Sequence, residues 1–271
     1  MAGDYDRLEP WYEHLYEVLH AIIRRELGAP AGTRSPRALD AGCGTGLQAE
    51  ILRELGYRVH GADLSPALLR RARARLAAAP LAVAPLAVAD VAALPYRRGA
   101  FDLAVCCGSV LSFVPAPAHA LAELARVLRP GGRLLVECEH RTSLDLGWGL
   151  LSSLTGDSLG FGLSPRAAWR QLAGRPRTSL VVDYPGYPPL RLFRRGELLA
   201  TLRGAGLRPV RAWGIHTLTN LIPSTILHRP ELPRLLRRPY AALRAADRAV
   251  ARWRAPQALA NSLVVLAERA A

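Results

Sequence analysis

Three glycines at alternate positions, in Leu39-Asp40-Ala41-Gly42-Cys43-Gly44-Thr45-Gly46, follow a short apolar run that ends on a carboxylate. Few local sequences restrict a chain more. Glycine has no Cβ, so the backbone can turn sharply and approach a ligand that a larger side chain would exclude. Residues 37–41 read as a strand, and Leu47, Ile51 and Leu55 at four-residue intervals give the next helix an apolar face for a sheet. A strand, glycine loop and helix in this order predict a nucleotide-type ligand over the loop. The dinucleotide fingerprint is G-x-G-x-x-G, whereas the third glycine here comes one residue early, giving G-x-G-x-G. Downstream, Tyr57-Arg58-Val59-His60-Gly61-Ala62-Asp63 reads as a second strand closing on an acid placed to accept hydrogen bonds from ribose hydroxyls.

The alternation continues. An amphipathic helix spans 8–27, and after it come strand 37–41, helix 46–55, strand 57–62, helix 66–77, strand 86–89, strand 101–106, helix 117–128 and strand 133–139. Helix 196–204, strand 207–213 and strand 262–267 complete seven strands. Short Leu-, Val- and Ala-rich strands without clean alternation fit burial on both faces. The fold class expected is α/β, a Rossmann-like, doubly wound and mostly parallel sheet. Between His140 and Phe193 the pattern breaks, with frequent Gly, Ser and Pro, scattered aromatics including Tyr184 and Tyr187, and a hairpin expected from 180–182 and 190–192 across Pro185-Gly186. The organisation expected is therefore 1–139 for the N-terminal helix and ligand-binding half, 140–193 for an insertion or lid, and 194–271 for the rest of the core. A helical segment at about 223–256 falls within the last part.

The ordered motifs resemble the class I S-adenosylmethionine-dependent methyltransferases, especially the group that includes ubiquinone and menaquinone methyltransferases. Leu39 to Gly46 stands as that family's first motif, Ala62-Asp63-Leu64-Ser65 as its ribose site, and Ala89-Asp90-Val91 with Leu94-Pro95-Tyr96 as its adenine site. Phe101-Asp102-Leu103-Ala104-Val105 looks like the fourth strand, and residues 124–134, with the Arg129-Pro130-Gly131-Gly132 turn, like the helix and turn before the fifth. The resemblance implies S-adenosylmethionine as cofactor, and an antiparallel pair made by the last two strands at the sheet edge. It further implies that the amides of Gly42, Cys43, Gly44 and Gly46 approach the methionine portion, with Asp40 receiving its ammonium group. Asp63 would hold the ribose diol, Leu64 would pack on the adenine, Asp90 would accept from its amino group aided by the Val91 amide, and Cys107 and Gly108 would line the cofactor near the methyl. Helix capping is the competing reading of Asp63 and Asp90, since each ends a strand before a helical start. Tyr5-Asp6 and Trp11-Tyr12 resemble the family's opening segment, where an aromatic, here Tyr12, closes over the cofactor.

All 36 basic residues are arginine, against 22 acids, giving a net charge of +14 in 271 residues. That charge fits a nucleic-acid partner, but the absence of lysine beside so much Ala, Gly and Pro fits a coding bias equally, and charge alone defines no groove. Base-directed amino methyltransferases carry Asn/Asp-Pro-Pro-aromatic after the fourth strand, where this chain has Cys106-Cys107-Gly108-Ser109. A nucleobase amine is therefore disfavoured, and the aromatics of 140–193 with the amphipathic stretch near the C-terminus favour a small, lipophilic acceptor. The basic, amphipathic stretch 228–254 is compatible with an interfacial helix meeting anionic lipid, or with a helical lid that exposes an arginine face. Cys43, Cys106, Cys107 and Cys138 show no metal spacing, so reduced thiols and no metal are expected. Acids at Asp4, Asp6, Glu9 and Glu13 stand where a secretory signal needs a basic region, which points to the cytoplasm.

Methyl transfer from a sulfonium requires alignment, water exclusion and, for some acceptors, a proton acceptor. His216, after the strand ending at 213, leads as general base, followed by His140 and Glu139 at the end of the fifth strand; hydrogen-bonded structural histidines are the competing reading. The expected function is methyl transfer to O, C or N of the acceptor. The alternatives are an RNA-directed methyltransferase, a nicotinamide-dependent oxidoreductase, or a noncatalytic binding protein.

Overall fold

Pro10 opens the N-terminal helix α1 (Pro10–Glu26), where the missing N–H of proline costs nothing, and Leu15, Val18, Leu19, Ile22 and Ile23 form its buried face. The computed structural model describes residues 9–28, 35–77, 85–162, 164–173, 179–182, 188–253 and 257–270. Tyr5, Asp6, Tyr184, Tyr187 and the Pro185-Gly186 turn lie outside the described residues. The first half of the sheet follows as β1 (Arg37–Ala41), α2 (Leu47–Glu54), β2 (Arg58–Asp63), α3 (Pro66–Ala77) and β3 (Leu86–Val88). The second half begins with β4 (Phe101–Cys106), a short α4 (Val110–Phe113), α5 (Pro117–Val127) and β5 (Leu128–Glu139).

Next come α6 (Asp145–Leu154), α7 (Pro165–Ala173) and a hairpin of β6 (Leu180–Val182) with β7 (Leu190–Leu192), paired with Leu180 opposite Leu192 as expected. The two helices here were not expected: in α6, Gly147 and Gly149 and the serine pair Ser152-Ser153 interrupt the periodicity that would have marked it. The chain returns through α8 (Arg195–Gly204) and β8 (Leu207–Ile215), then α9 (Ser224–Leu227), α10 (Arg234–Val250) and β9 (Ser262–Arg269).

The seven-stranded sheet has the order β3-β2-β1-β4-β5-β9-β8, with β9 antiparallel to both neighbours. This is the doubly wound arrangement expected, closed by an antiparallel pair at one edge. Strand β5 starts earlier than the expected residue 133, because Leu128 pairs with Phe101 before the Arg129-Pro130-Gly131-Gly132 turn bulges out and Arg133 resumes opposite Leu103. One core lies on the α5 and α8 face, around Leu39, Phe101, Leu134 and Val136. The other lies on the α1 and α2 face, around Ala38, Leu103, Val105 and Leu135. From β1 the chain winds outward to β2 and β3, then returns to β4 on β1's other side. The carboxyl ends of β1 and β4 therefore flank a topological switch point, where open α/β sheets leave a crevice for ligands.

Candidate functional site

The glycine loop leaves β1 directly into that crevice. Gly42 has φ +77°, and a Cβ there would stand 2.3 Å from Val110 Cγ2, so the loop can pass α4 only as glycine. Gly44 has φ +52° with nothing within 4 Å of a built Cβ, an open cradle rather than a packed turn.

The four amides expected to meet a ligand are committed within the protein. Gly42 and Cys43 N–H donate to the Ala62 carbonyl at 2.7 and 3.0 Å, and Gly46 N–H donates to the Cys43 carbonyl at 2.8 Å. Gly44 N–H donates to Asp63 Oδ2 at 2.9 Å. These bonds set the shape of the loop through Gly42, Cys43, Gly44 and Gly46 and tie it to the end of β2 and to Asp63. The Cys43 thiol lies buried towards β2, and burial drives its ionisation far above the usual thiol range.

Asp40 supplies the complementary group. It is 2% exposed, its carboxylate accepts from the Ala49 amide in the first turn of α2, and its Oδ2 has no partner. Burial, reinforced by the negative charge of Asp63, pushes its pKa up to about 7. A buried acceptor with an unfilled lone pair beside an open glycine loop fits a cationic donor such as an ammonium group. It does not fit a phosphate.

Asp63 is held by two backbone amides. Its Oδ1 accepts from Ser65 N–H at 2.8 Å just before α3, while Oδ2 ties the glycine loop. A carboxylate has about four lone-pair sites, so room remains for two ribose hydroxyls. Leu64 beside it is 66% exposed, an apolar surface open to a planar ring. Asp90 holds its own turn through Ala92 N–H to Oδ1 at 2.8 Å, and Val91 is buried. The Leu94-Pro95-Tyr96 segment is fixed from α5, where Arg126 donates to the carbonyls of Tyr96 and Leu94 and Glu123 accepts from Leu94 N–H.

After β4, Cys107 is buried and Gly108 turns with φ +78°, its missing Cβ 3.8 Å from Tyr16 Oη. Tyr12, the expected aromatic cover, stacks 6.4 Å from Tyr16 and edge-on to His228 at 5.5 Å. Tyr16 thus stands nearer the loop, one helical turn along α1. Ser109 joins two carboxylates that share a face of β5: its N–H donates to Glu137 Oε2 at 2.6 Å and its hydroxyl to Glu139 Oε1 at 2.7 Å. Burial raises both acids, Glu139 to about 8 with Glu137 and Asp145 adding to the push. Ser109, Glu137 and Tyr16 were not among the expected site residues; acids at alternate positions of the apolar strand Leu134-Leu135-Val136-Glu137-Cys138-Glu139 were the available signal.

The two expected general bases sit in structural networks. His216 is fully buried, stacked on Trp11 at 3.7 Å, edge-on to His14 at 5.1 Å and bonded through Nδ1 to Thr219 Oγ1 at 3.0 Å. Desolvation holds its pKa well below the ordinary value. His140, also buried, contacts the Ala260 carbonyl through Nδ1 at 2.9 Å and Thr142 Oγ1 through Nε2 at 3.1 Å, and its pKa is lowered to about 4. Burial therefore favours the neutral form of both histidines; His140 is tied through both ring nitrogens beside the end of β5, and His216 is held through Nδ1 after β8.

Helix α10 braces α1 above this edge. Leu236, Tyr240 and Leu243 join Trp11 and Leu227 in a small apolar cluster, Arg244 pairs with Glu13 and Glu17, and Arg248 with Glu17. Buried Asp247 accepts from His14 Nε2 at 2.8 Å and from the amides of Thr217 and Leu218. Leu236 and Leu243 of the apolar stripe pack in this cluster, whereas Leu235 and Trp253 remain exposed. Among the described residues, no helix is long and apolar enough to cross a membrane, and no group of three or more His, Cys, Asp or Glu is placed to hold a metal.

Residues 39–136 match a family model described as a methyltransferase domain. The chain is 39% identical over 127 residues to the ubiquinone biosynthesis O-methyltransferase of Xanthomonas oryzae pv. oryzae, covering 46% of this chain and 53% of that protein. To the protein of the same name from Xylella fastidiosa it is 38% identical over 106 residues, covering 39% of this chain and 43% of that one. The chain thus spans about half the length of the curated relatives it matches. Among solved structures it is similar to the [4+2]-cyclase SpnF, with a TM-score of 0.59 and 20% identity over 99% of this chain and 85% of that one. It is also similar to the Burkholderia thailandensis 1,6-didemethyltoxoflavin-N1-methyltransferase, solved with bound 1,6-didemethyltoxoflavin and S-adenosylhomocysteine, with a TM-score of 0.55 and 19% identity over 95% and 79% of the two chains. At such identities the likeness concerns the fold alone, and a fold that carries a cyclase as well as a methyltransferase leaves the chemistry to the site.

Proposed function

We propose that this chain, whose residues 39–136 match a methyltransferase domain, is a class I, S-adenosylmethionine-dependent enzyme that transfers a methyl group to O, C or N of a small, lipophilic acceptor. One observation carries the reading most directly: the four loop amides are satisfied internally while Asp40 keeps a buried, unpartnered oxygen. A dinucleotide needs free loop amides for its pyrophosphate. The methionine end of S-adenosylmethionine brings an ammonium donor and needs acceptors. When bound, the sulfonium supplies an activated methyl whose leaving group is already in place.

The chain's residues then have separate tasks. Asp40 and the cradle of Gly42, Cys43, Gly44 and Gly46 receive the amino-acid end. Asp63 accepts from the ribose hydroxyls, and Leu64, Asp90 and Val91 surround the adenine. Cys107, Gly108 and Tyr12 line the reacting end, with Tyr16 beside Gly108. His216 and His140 position the strand ends around it. Helix α6 and the α1–α10 brace cover the acceptor and exclude water, which leaves alignment as the main source of acceleration. The ubiquinone relatives and the aromatics of 140–193 support a lipophilic acceptor. Any membrane contact of 228–254 would use Leu235 and Trp253, 90% and 57% exposed. Four free, buried cysteines support a cytoplasmic setting.

Titration calorimetry tests the reading. S-adenosylmethionine and S-adenosylhomocysteine should bind, NAD should not, and Asp63→Asn should weaken binding at least about 10-fold by losing charge-assisted bonds. Tighter binding of NAD than of S-adenosylhomocysteine would overturn it.

A further inference from the structure

We propose that Glu139 takes the proton of the methyl acceptor, so that the atom methylated carries a hydrogen: a hydroxyl oxygen or an N–H nitrogen. This rests on the methyl-transfer reading and narrows its acceptor class. Glu137 and Glu139 alternate along β5 and so point to one face, with Glu139 directly opposite Ser262 of β9. Ser109, two residues after Cys107, donates to both carboxylates and so ties them to the loop that lines the reacting end. Glu137 is 0% exposed and its Oε1 has no partner, whereas Glu139, two residues on towards the carboxyl end of β5, is partly exposed.

No arginine among the described residues pairs with either acid, in a chain with 36 basic residues. Carboxylates buried without a cation weaken a fold, so a purely structural origin for this pair is poor. The charged groups acting on Glu139 are Glu137 on its own strand and Asp145 at the start of α6, both negative, and they favour its uptake of a proton. In the reaction, the acceptor's lone pair forms the bond to the methyl carbon and the carbon–sulfur pair leaves on sulfur. The acceptor's proton passes to the free oxygen of Glu139 and then to solvent.

The test needs no acceptor. In protein labelled with 13C at glutamate carboxyls, the Glu139 signal is identified by its loss in Glu139→Gln, a variant that removes like-charge repulsion and should fold. Its titration is followed alone, with S-adenosylmethionine and with S-adenosylhomocysteine, binding of each being checked by calorimetry. Glu139 should titrate well above an ordinary glutamate, and Ser109→Ala should raise it further. The sulfonium, as a nearby cation, should lower the titration by about one unit or more, while the uncharged thioether should move it by no more than a few tenths. An ordinary glutamate titration, or equal shifts with both ligands, overturns the proposal alone. Absence of binding by either ligand overturns the methyl-transfer reading, and this proposal with it.

Discussion

Replacing Gly42 by alanine separates the two demands on the loop, and the structure sets the scale. A Cβ at φ +77° costs about 1–2 kcal/mol from backbone conformation alone. The same Cβ would sit 2.3 Å from Val110 Cγ2 and 2.9 Å from Cγ1, closer than packed side chains approach. Overpacking of this kind costs about 1–3 kcal/mol more. Gly42→Ala should thus lose roughly 2–5 kcal/mol, a fall in Tm of roughly 5–15 °C for a chain of this size. Adding Val110→Ala should return the steric part but not the backbone part, a coupling of about 1–3 kcal/mol in a double-mutant cycle. Gly44→Ala is the control: its Cβ meets nothing within 4 Å, so stability should fall by only about 1–2 kcal/mol, while the methyl takes up cradle space and weakens S-adenosylhomocysteine binding. Urea titration and calorimetry on these three variants and on the Val110→Ala single mutant decide the matter. A Gly42→Ala protein within about 0.5 kcal/mol of the parent, or no rescue by Val110→Ala, would refute the close-approach argument.

Two further substitutions test the buried acids. The Asp40 pKa is raised from 3.8 to about 7, so between those values the folded state holds a proton that the unfolded state has lost, and stability falls as pH rises across that window, by as much as about 4 kcal/mol. Asp40→Asn should flatten that fall in urea titrations from pH 4 to 8 yet bind S-adenosylmethionine more weakly; an unchanged pH profile would show that Asp40 ionises normally. Asp247→Ala strands His14 and the amides of Thr217 and Leu218, and should cost about 3–5 kcal/mol by denaturation while leaving S-adenosylhomocysteine affinity within about twofold below the transition. A loss of affinity without a loss of stability would instead tie Asp247 to cofactor binding rather than to the α1–α10 brace.

The strands and the cradle were legible because their signals are local. Strands 37–41 and 101–106 and helix 66–77 appear with the expected bounds, since apolar run, glycine and cap lie within a few residues of one another. What escaped depends on distant partners. Commitment of the loop amides is decided by the Ala62 carbonyl and Asp63, about twenty residues on, and no glycine spacing reveals it. His216 looked like a base because it follows a strand end; Trp11 and His14, some two hundred residues earlier, bury it. The arginines of 228–254 read as a solvated lid face or a lipid-facing surface, and nothing local to the segment shows that Arg244 and Arg248 pair with Glu13 and Glu17 on α1.

Net charge pointed away from the chemistry for a related reason. A formal charge of +14 draws attention to anionic partners, yet the carboxyl edge of the sheet gathers Asp40, Glu137, Glu139 and Asp145, each with its pKa raised by burial. Arginines elsewhere find carboxylates: Arg126 holds Glu123, Arg129 holds Asp102, and Arg211 holds Glu26. Acids left without such partners in the crevice lower the cost of bringing in positive charge, and the ligand proposed here carries two positive centres, an ammonium and a sulfonium. Loss of the sulfonium charge on methyl transfer would then weaken the hold of Glu137 and Glu139 on the product relative to the substrate. Affinity for S-adenosylmethionine relative to S-adenosylhomocysteine should accordingly rise with pH as these acids ionise, and Glu137→Gln/Glu139→Gln should remove that rise; a ratio independent of pH in the parent protein would detach the buried acids from the sulfonium.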